Sequence, residues 1–130
     1  MILDTSFLVG LLDADQGAIR RARELEDDGV VRKAPAMAVL ELYVGVGKVA
    51  RSEREERRVR RVVDSLTVVE MDERVAIRAG RVVGELLGDG LPLGKGDPAI
   101  GATALIESEP VLTRNVDGFR RIPNLDVETY

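Results

Sequence analysis

MILDTSFLVGLL, residues 1–12, holds a single ionisable side chain, Asp4, in a run that is otherwise apolar or neutral. Residues 1–4 have the length and composition of a short buried strand, and SFLVGLLDA, residues 6–14, has the spacing of a helix that follows at once. A strand that passes directly into a helix is the opening of a βα unit. It leaves Asp4 at the carboxyl end of the strand, the edge at which open α/β sheets bind their ligands.

The remainder of the chain repeats the alternation. GAIRRARELEDDG (17–29) is an amphipathic helix stopped by Gly29, VVRKAP (30–35) a second strand, and AMAVLELYVGVG (36–47) a helix entered just after Pro35. Residues 51–64 form a charged helix with Val59, Val62 and Val63 on one side, and the β-branched LTVVEM (66–71) is a third strand. DERVAIRAGRVVGELLGDG (72–90) keeps helical spacing until its terminal glycines, and DPAIGATALI (97–106) is a further helix with Asp97 at the cap and Pro98 as its first residue. PVLT (110–113) and LDVETY (125–130) are strands on either side of VDGFRRI (116–122), a turn or short helix. The expected class is α/β, a mainly parallel central sheet with helices on both faces, formed as one domain over residues 1–130.

Composition excludes several chemistries. The 130 residues contain neither Cys nor His, which removes disulfides, thiolate nucleophiles, the Ser/His/Asp triad and the commonest zinc ligands. A net charge of −4 argues against a protein that coats nucleic acid through general basicity. The opening apolar run has no basic n-region and meets Asp13 and Asp15 directly after Leu12, so it is expected to be neither a signal peptide nor a membrane span. A cytoplasmic protein is the expectation.

Most of the 23 acids lie among Arg and Lys on solvated helix faces, but three do not. Besides Asp4, Glu41 is the one charge between Ala34 and Gly47, and Asp97 is the one charge between Gly96 and Ile106. Each has a plain structural alternative: Asp97 as a helix cap, Asp4 as the cap of the helix starting near Ser6, Glu41 as an outward-pointing side chain. Together they suggest a convergent anionic pocket, since an ionised carboxylate against apolar surface costs several kcal/mol unless it is compensated. With oxygen donors only, the suitable counter-ions are Mg²⁺ or Mn²⁺, held by a few carboxylates, waters and substrate phosphate oxygens. Such a site suits hydrolysis of a phosphodiester.

Four blocks, MILDTSFLVGLL with Asp4, PAMAVLELYVGV with Glu41, GDPAIGATAL with Asp97 and VLTRNVDGFRRIPNLDV near the end, resemble in order and spacing the successive motifs of PIN-domain ribonucleases, in particular VapC-type toxins. The resemblance implies a three-layer α/β/α sandwich, an endoribonuclease dependent on Mg²⁺ or Mn²⁺, a homodimer, and a small antitoxin that occupies the groove beside the site. Asp4, Glu41 and Asp97 match the family's first three acidic positions. Thr113 and Ser6 match supporting hydroxyls. The fourth acidic position is Asn115 here, which adds no charge, with Asp117 two residues on as a possible substitute; a second ion would accordingly be held more weakly.

An RNA substrate needs cationic contacts. Lys48 and Arg51, nearest in sequence to the Glu41 helix, and Arg114 and Arg120, beside the fourth block, are the phosphate candidates, whereas most of the arginines over residues 54–61 read as a solvated helix face laced with ion pairs. Two Tyr, two Phe and no Trp leave little for base stacking, so recognition would rest on phosphates and RNA shape. Phe7, Leu8, Leu11 and Leu12 read mainly as core, with a shared surface for a second subunit or an antitoxin helix as the alternative. Two other functional classes fit less well. A haloacid-dehalogenase-type phosphotransfer domain would want Asp at the Ser6 position, and a non-catalytic PIN-like interaction module would not need all three acids.

Overall fold

The computed structural model describes residues 1–91 and 96–130. In chain order the elements are β1 (Ile2–Leu3), α1 (Thr5–Leu12), α2 (Gln16–Asp27), β2 (Lys33–Pro35), α3 (Ala36–Lys48), α4 (Ser52–Asp64), β3 (Thr67–Val69), α5 (Glu73–Gly88), α6 (Asp97–Glu107), β4 (Val111–Leu112), α7 (Val116–Arg120) and β5 (Val127–Glu128). The strands form one sheet in the order β3-β2-β1-β4-β5, and every pairing is parallel. Ile2 stands in register with Lys33 on one side and Val111 on the other. Helices flank the sheet, as expected for an α/β/α sandwich: α1 packs on α2, α3 and α4, while α5 packs on α6.

The strands are shorter than the apolar runs that mark them. MILD contributes two paired residues, VVRKAP and LTVVEM three each, and PVLT and LDVETY two each. At β1 the reason is local: Asp4 still donates its N–H to the Leu112 carbonyl but turns out of the central strand to become the N-cap of α1, its carboxylate accepting from the Ser6 N–H.

A second difference concerns α6. The sequence suggests Asp97 as cap and Pro98 as first residue; instead Gly96 is the cap and Asp97 is the first helical residue, its carboxylate accepting from the Asn115 side chain. The shift by one residue releases the Asp97 carboxylate from the helix end. α6 is the central helix, buried from Pro98 through Ala104, and its small residues let it lie close under β1 and β2.

Ile2, Leu3, Phe7, Leu8, Ile100, Val111, Leu112 and Phe119 are fully buried and belong to one core. Phe7 and Leu8 are therefore packing residues, while Leu11 and Leu12 are partly buried against that core. Connections from β1 through β2 to β3 step outward on one side, and β4 and β5 lie on the other. The reversal between β1 and β4 opens a crevice at their carboxyl ends, where Asp4 and Thr113 emerge.

Candidate active site

The site begins with Asp4, which is 3% exposed. Three donors converge on its Oδ2: the Ser6 hydroxyl at 2.7 Å, the Thr113 hydroxyl at 2.7 Å and the Ser6 backbone N–H at 3.4 Å. Asp4 is thus the cap of α1 and at the same time lies at the crevice between β1 and β4, beside Thr113.

Glu41, in the middle of α3, is partly buried rather than turned to solvent, and its Oε1 accepts from the Thr5 hydroxyl at 2.8 Å. It lies against the backbone of Gly96, where a Cβ would overlap the carboxylate. Asp97 follows directly, and its Oδ2 accepts from the Asn115 side-chain N–H at 2.8 Å. The structure thus brings together Asp4, Glu41, Asp97, Asn115, Ser6 and Thr113. Asp117 is exposed on α7, and it is Asn115 that reaches Asp97.

Burial and the negative charges of Asp4 and Glu41 push the Asp97 carboxyl up from 3.8 to about 6, against the opposing hydrogen bond from Asn115. The three acids therefore share one electrostatic environment. Among the described residues their hydrogen-bond donors are hydroxyls, a carboxamide and a backbone N–H, all neutral. Among the described residues these bonds fall on one oxygen of each carboxylate: Oδ2 of Asp4, Oε1 of Glu41 and Oδ2 of Asp97. One oxygen orients each side chain, and the other takes no side-chain or backbone donor among the described residues.

Among the described residues no three Asp or Glu side chains stand at the spacing of a ready-made metal cage. Mg²⁺ does not require one, being typically held by one or two carboxylates, several waters and substrate phosphates. An all-oxygen donor set whose hydrogen bonds, among the described residues, come from no cation fits a hard divalent ion of that open kind.

The basic candidates divide. Lys48 is exposed in the last turn of α3, seven residues and so two turns beyond Glu41, on roughly the same face and about 10 Å along the axis. Arg51 is exposed at the start of α4, and Arg120 in the last turn of α7. Arg114 is already engaged, pairing with Asp15 at 2.8 Å and lying over the Tyr130 ring at 5.0 Å.

Three residues of the site escape the sequence reading. Thr5 carries no signal beyond its place after Asp4, and Gly96 and Gly118 look like ordinary loop glycines. Their necessity is spatial: a Cβ at Gly96 meets Glu41, and one at Gly118 would come within 2.5 Å of the Asn115 side-chain nitrogen.

Comparison with known proteins bears on this geometry. A family model described as PIN domain matches residues 1–125. Ribonuclease VapC2 of Rickettsia felis is 25% identical over 129 residues, covering 99% of this chain and 96% of that protein. The tRNA(fMet)-specific endonuclease VapC of Salmonella typhimurium is 30% identical over 95 residues, 73% of this chain and 72% of the relative. Among solved structures, DNA-bound VapBC from Salmonella typhimurium superimposes with a TM-score of 0.87 at 27% identity, covering 98% of this chain and 96% of that one.

Proposed function

Since the chain belongs to the PIN domain family, we propose that it is an endoribonuclease that hydrolyses RNA phosphodiester bonds with Mg²⁺ or Mn²⁺ and acts as the toxin of a toxin–antitoxin pair. The observation that carries this reading is the convergence of Asp4, Glu41 and Asp97 at one sheet edge, where burial first and then the charges of Asp4 and Glu41 push the Asp97 carboxyl up to about 6. The ribonuclease and endonuclease names of the two relatives support RNA as the substrate class. A solved VapBC assembly of the same fold supports a small antitoxin as the inhibitory partner. The working form we assign is a cytoplasmic homodimer, each chain one PIN-like domain over residues 1–130; no helix among the described residues is long and apolar enough to cross a membrane.

Each residue has a part. Asp4, Asp97 and Glu41 would hold the ion. When bound, such an ion lowers the pKa of a water and neutralises charge on the phosphoryl oxygens. Ser6 and Thr113 keep the Asp4 carboxylate in one orientation, Thr5 does the same for Glu41, and Asn115 for Asp97. The fourth position belongs to Asn115 rather than Asp117, and with no charge there a single firmly held ion is the expected stoichiometry. Lys48, Arg51 and Arg120 offer positive charge to RNA phosphates, contacts that set affinity and register without reading sequence.

The test is cleavage of a labelled structured RNA with Mg²⁺ or Mn²⁺, and with chelator, by the parent and by Asp4→Asn. Metal-dependent cleavage by the parent, abolished in the variant, is the expected result. A folded parent that cuts no RNA in any metal would turn the assignment towards a non-catalytic interaction module.

A further inference from the structure

Residues 113–115 hold the acidic site together, yet the anchor of this short segment lies outside the site. Two relays descend from its backbone. The Arg114 N–H donates to the Ser6 hydroxyl at 3.1 Å, which donates to Asp4 Oδ2 at 2.7 Å. The Asn115 N–H donates to the Thr113 hydroxyl at 2.8 Å, which donates to the same Asp4 oxygen at 2.7 Å. Because each hydroxyl hydrogen is committed to Asp4, each hydroxyl oxygen is free to receive a backbone N–H, so the two relays are complete. The Asn115 side chain then extends to Asp97. Among the described residues, the segment itself supplies the Thr113 bond to Asp4 and the Asn115 bond to Asp97, and its backbone holds the Ser6 hydroxyl that makes another.

The Arg114 side chain is what fastens it. Its guanidinium pairs with Asp15 at 2.8 Å and lies 5.0 Å from the centre of the Tyr130 ring. Asp15 is itself fixed as the N-cap of α2, accepting from the Ala18 N–H at 2.9 Å. Tyr130 stands edge-on to the fully buried Phe7, with ring centres 5.1 Å apart. It packs against two glycines: a Cβ on Gly10 would come within 3.1 Å of the Tyr130 hydroxyl, tighter than side chains ordinarily pack, and one on Gly17 would meet its ring at 3.4 Å, an ordinary contact. That hydroxyl is buried and makes no hydrogen bond of good geometry among the described residues, so the contacts that carry the clamp are those of the ring, with Arg114 and Phe7.

We infer that Arg114, clamped between Asp15 and Tyr130, is a positioning residue that fixes residues 113–115 and through them the orientation of Asp4 and Asp97. The inference rests on the reading of the three acids as the ion-holding set. It assigns Arg114 a role different from a phosphate contact, because its charge is already met by Asp15 and its plane by Tyr130. An exposed ion pair alone contributes little, but a guanidinium that is also stacked on a wedged ring loses much of its freedom.

The two roles differ in sign. Removing a cation beside an anionic site strengthens divalent binding by charge alone, whereas loss of positioning weakens it. The experiment is Mn²⁺ titration without RNA, followed by the paramagnetic resonance of the free ion, on the parent, Asp4→Asn, Arg114→Gln, Asp15→Asn, Tyr130→Ala and Tyr130→Phe. Asn at 15 preserves the helix cap and removes the charge. Arg114→Gln, Asp15→Asn and Tyr130→Ala are each expected to weaken Mn²⁺ binding by about three- to tenfold, the lower part of the range for groups that orient metal ligands. Tyr130→Phe retains most of what Tyr130→Ala loses, and the Asp15→Asn/Arg114→Gln double variant is no weaker than the worse single one. Should the RNA assay run, kcat falls in both single variants at unchanged KM; a phosphate contact instead raises KM in Arg114→Gln and lowers it in Asp15→Asn.

Unchanged or tighter Mn²⁺ binding by Arg114→Gln overturns the inference, as do fully additive losses in the double variant. Equal Mn²⁺ binding by the parent and Asp4→Asn defeats the reading of the acids, and the inference with it. Melting curves identify any variant that fails to fold, and Asp15→Asn and Tyr130→Phe, which change no packing volume to speak of, keep the test decisive if Tyr130→Ala is lost.

Discussion

Asp97 is the residue on which the opposing forces of the site meet. Burial, Asp4 and Glu41 all resist its ionisation, so the folded chain keeps a proton there up to about pH 6, while an unfolded chain releases it near 3.8. The folded state therefore binds more protons between those values, and stability without metal falls as pH rises through that window and levels off above it, by an amount that solvent screening of this half-buried carboxyl reduces to on the order of 1–2 kcal/mol. Asp97→Asn removes the effect: without divalent ions it should melt higher than the parent at pH 7 and about equally at pH 4, a comparison that calorimetry makes directly. Added Mg²⁺ should stabilise the parent more at pH 7 than at pH 5, since proton and ion compete for the same carboxyl. At the same scale, Thr113→Val takes from Asp4 a buried donor at nearly constant volume. It should lower stability by about 1–2 kcal/mol and cleavage by roughly tenfold or more.

At the scale of elements, the order of strands and helices is legible because period and punctuation are local properties. Gly29 and Gly90 both have positive φ, +67° and +71°, and terminate α2 and α5 where a glycine is conformationally favoured. Strand lengths are less legible, since LDVETY is apolar enough for six residues of strand but finds a ladder for two. Gly96 marks the limit of such reading. Its φ of −93° suits any residue, so neither backbone conformation nor sequence discloses that the glycine makes room for Glu41. Gly96→Ala should accordingly fold, with a change in melting temperature of only a few degrees. It should reduce RNA cleavage by tenfold or more, because the added Cβ displaces a carboxylate rather than straining the helix start. An equally active Gly96→Ala would show that Glu41 is not needed where it stands.

Across the whole molecule, one topological fact positions the chemistry: the winding reverses between β1 and β4, and the crevice so formed receives Asp4 from one strand end and Thr113 from the other. The three isolated acids were visible in the sequence because their apolar surroundings make them costly, and that cost does not depend on knowing the fold. Thr5 on Glu41 and Tyr130 beneath Arg114 were not, since each contact joins segments far apart in the chain and has meaning only after α1, α3 and residues 113–115 meet. Arg114 illustrates the difference: beside the fourth block it reads as a phosphate contact, whereas in the fold Asp15 has already claimed it.

The central claim is that Asp4, Glu41 and Asp97 together hold the ion that makes RNA hydrolysis possible. The most direct measurement is the rate of RNA cleavage across a range of Mn²⁺ concentrations by the parent and by Asp97→Asn, both verified as folded. Saturable dependence on Mn²⁺ in the parent and a loss of about a hundredfold or more in the variant at every concentration are the predicted results. Cleavage by Asp97→Asn at the parental rate and with the parental Mn²⁺ dependence would contradict the account.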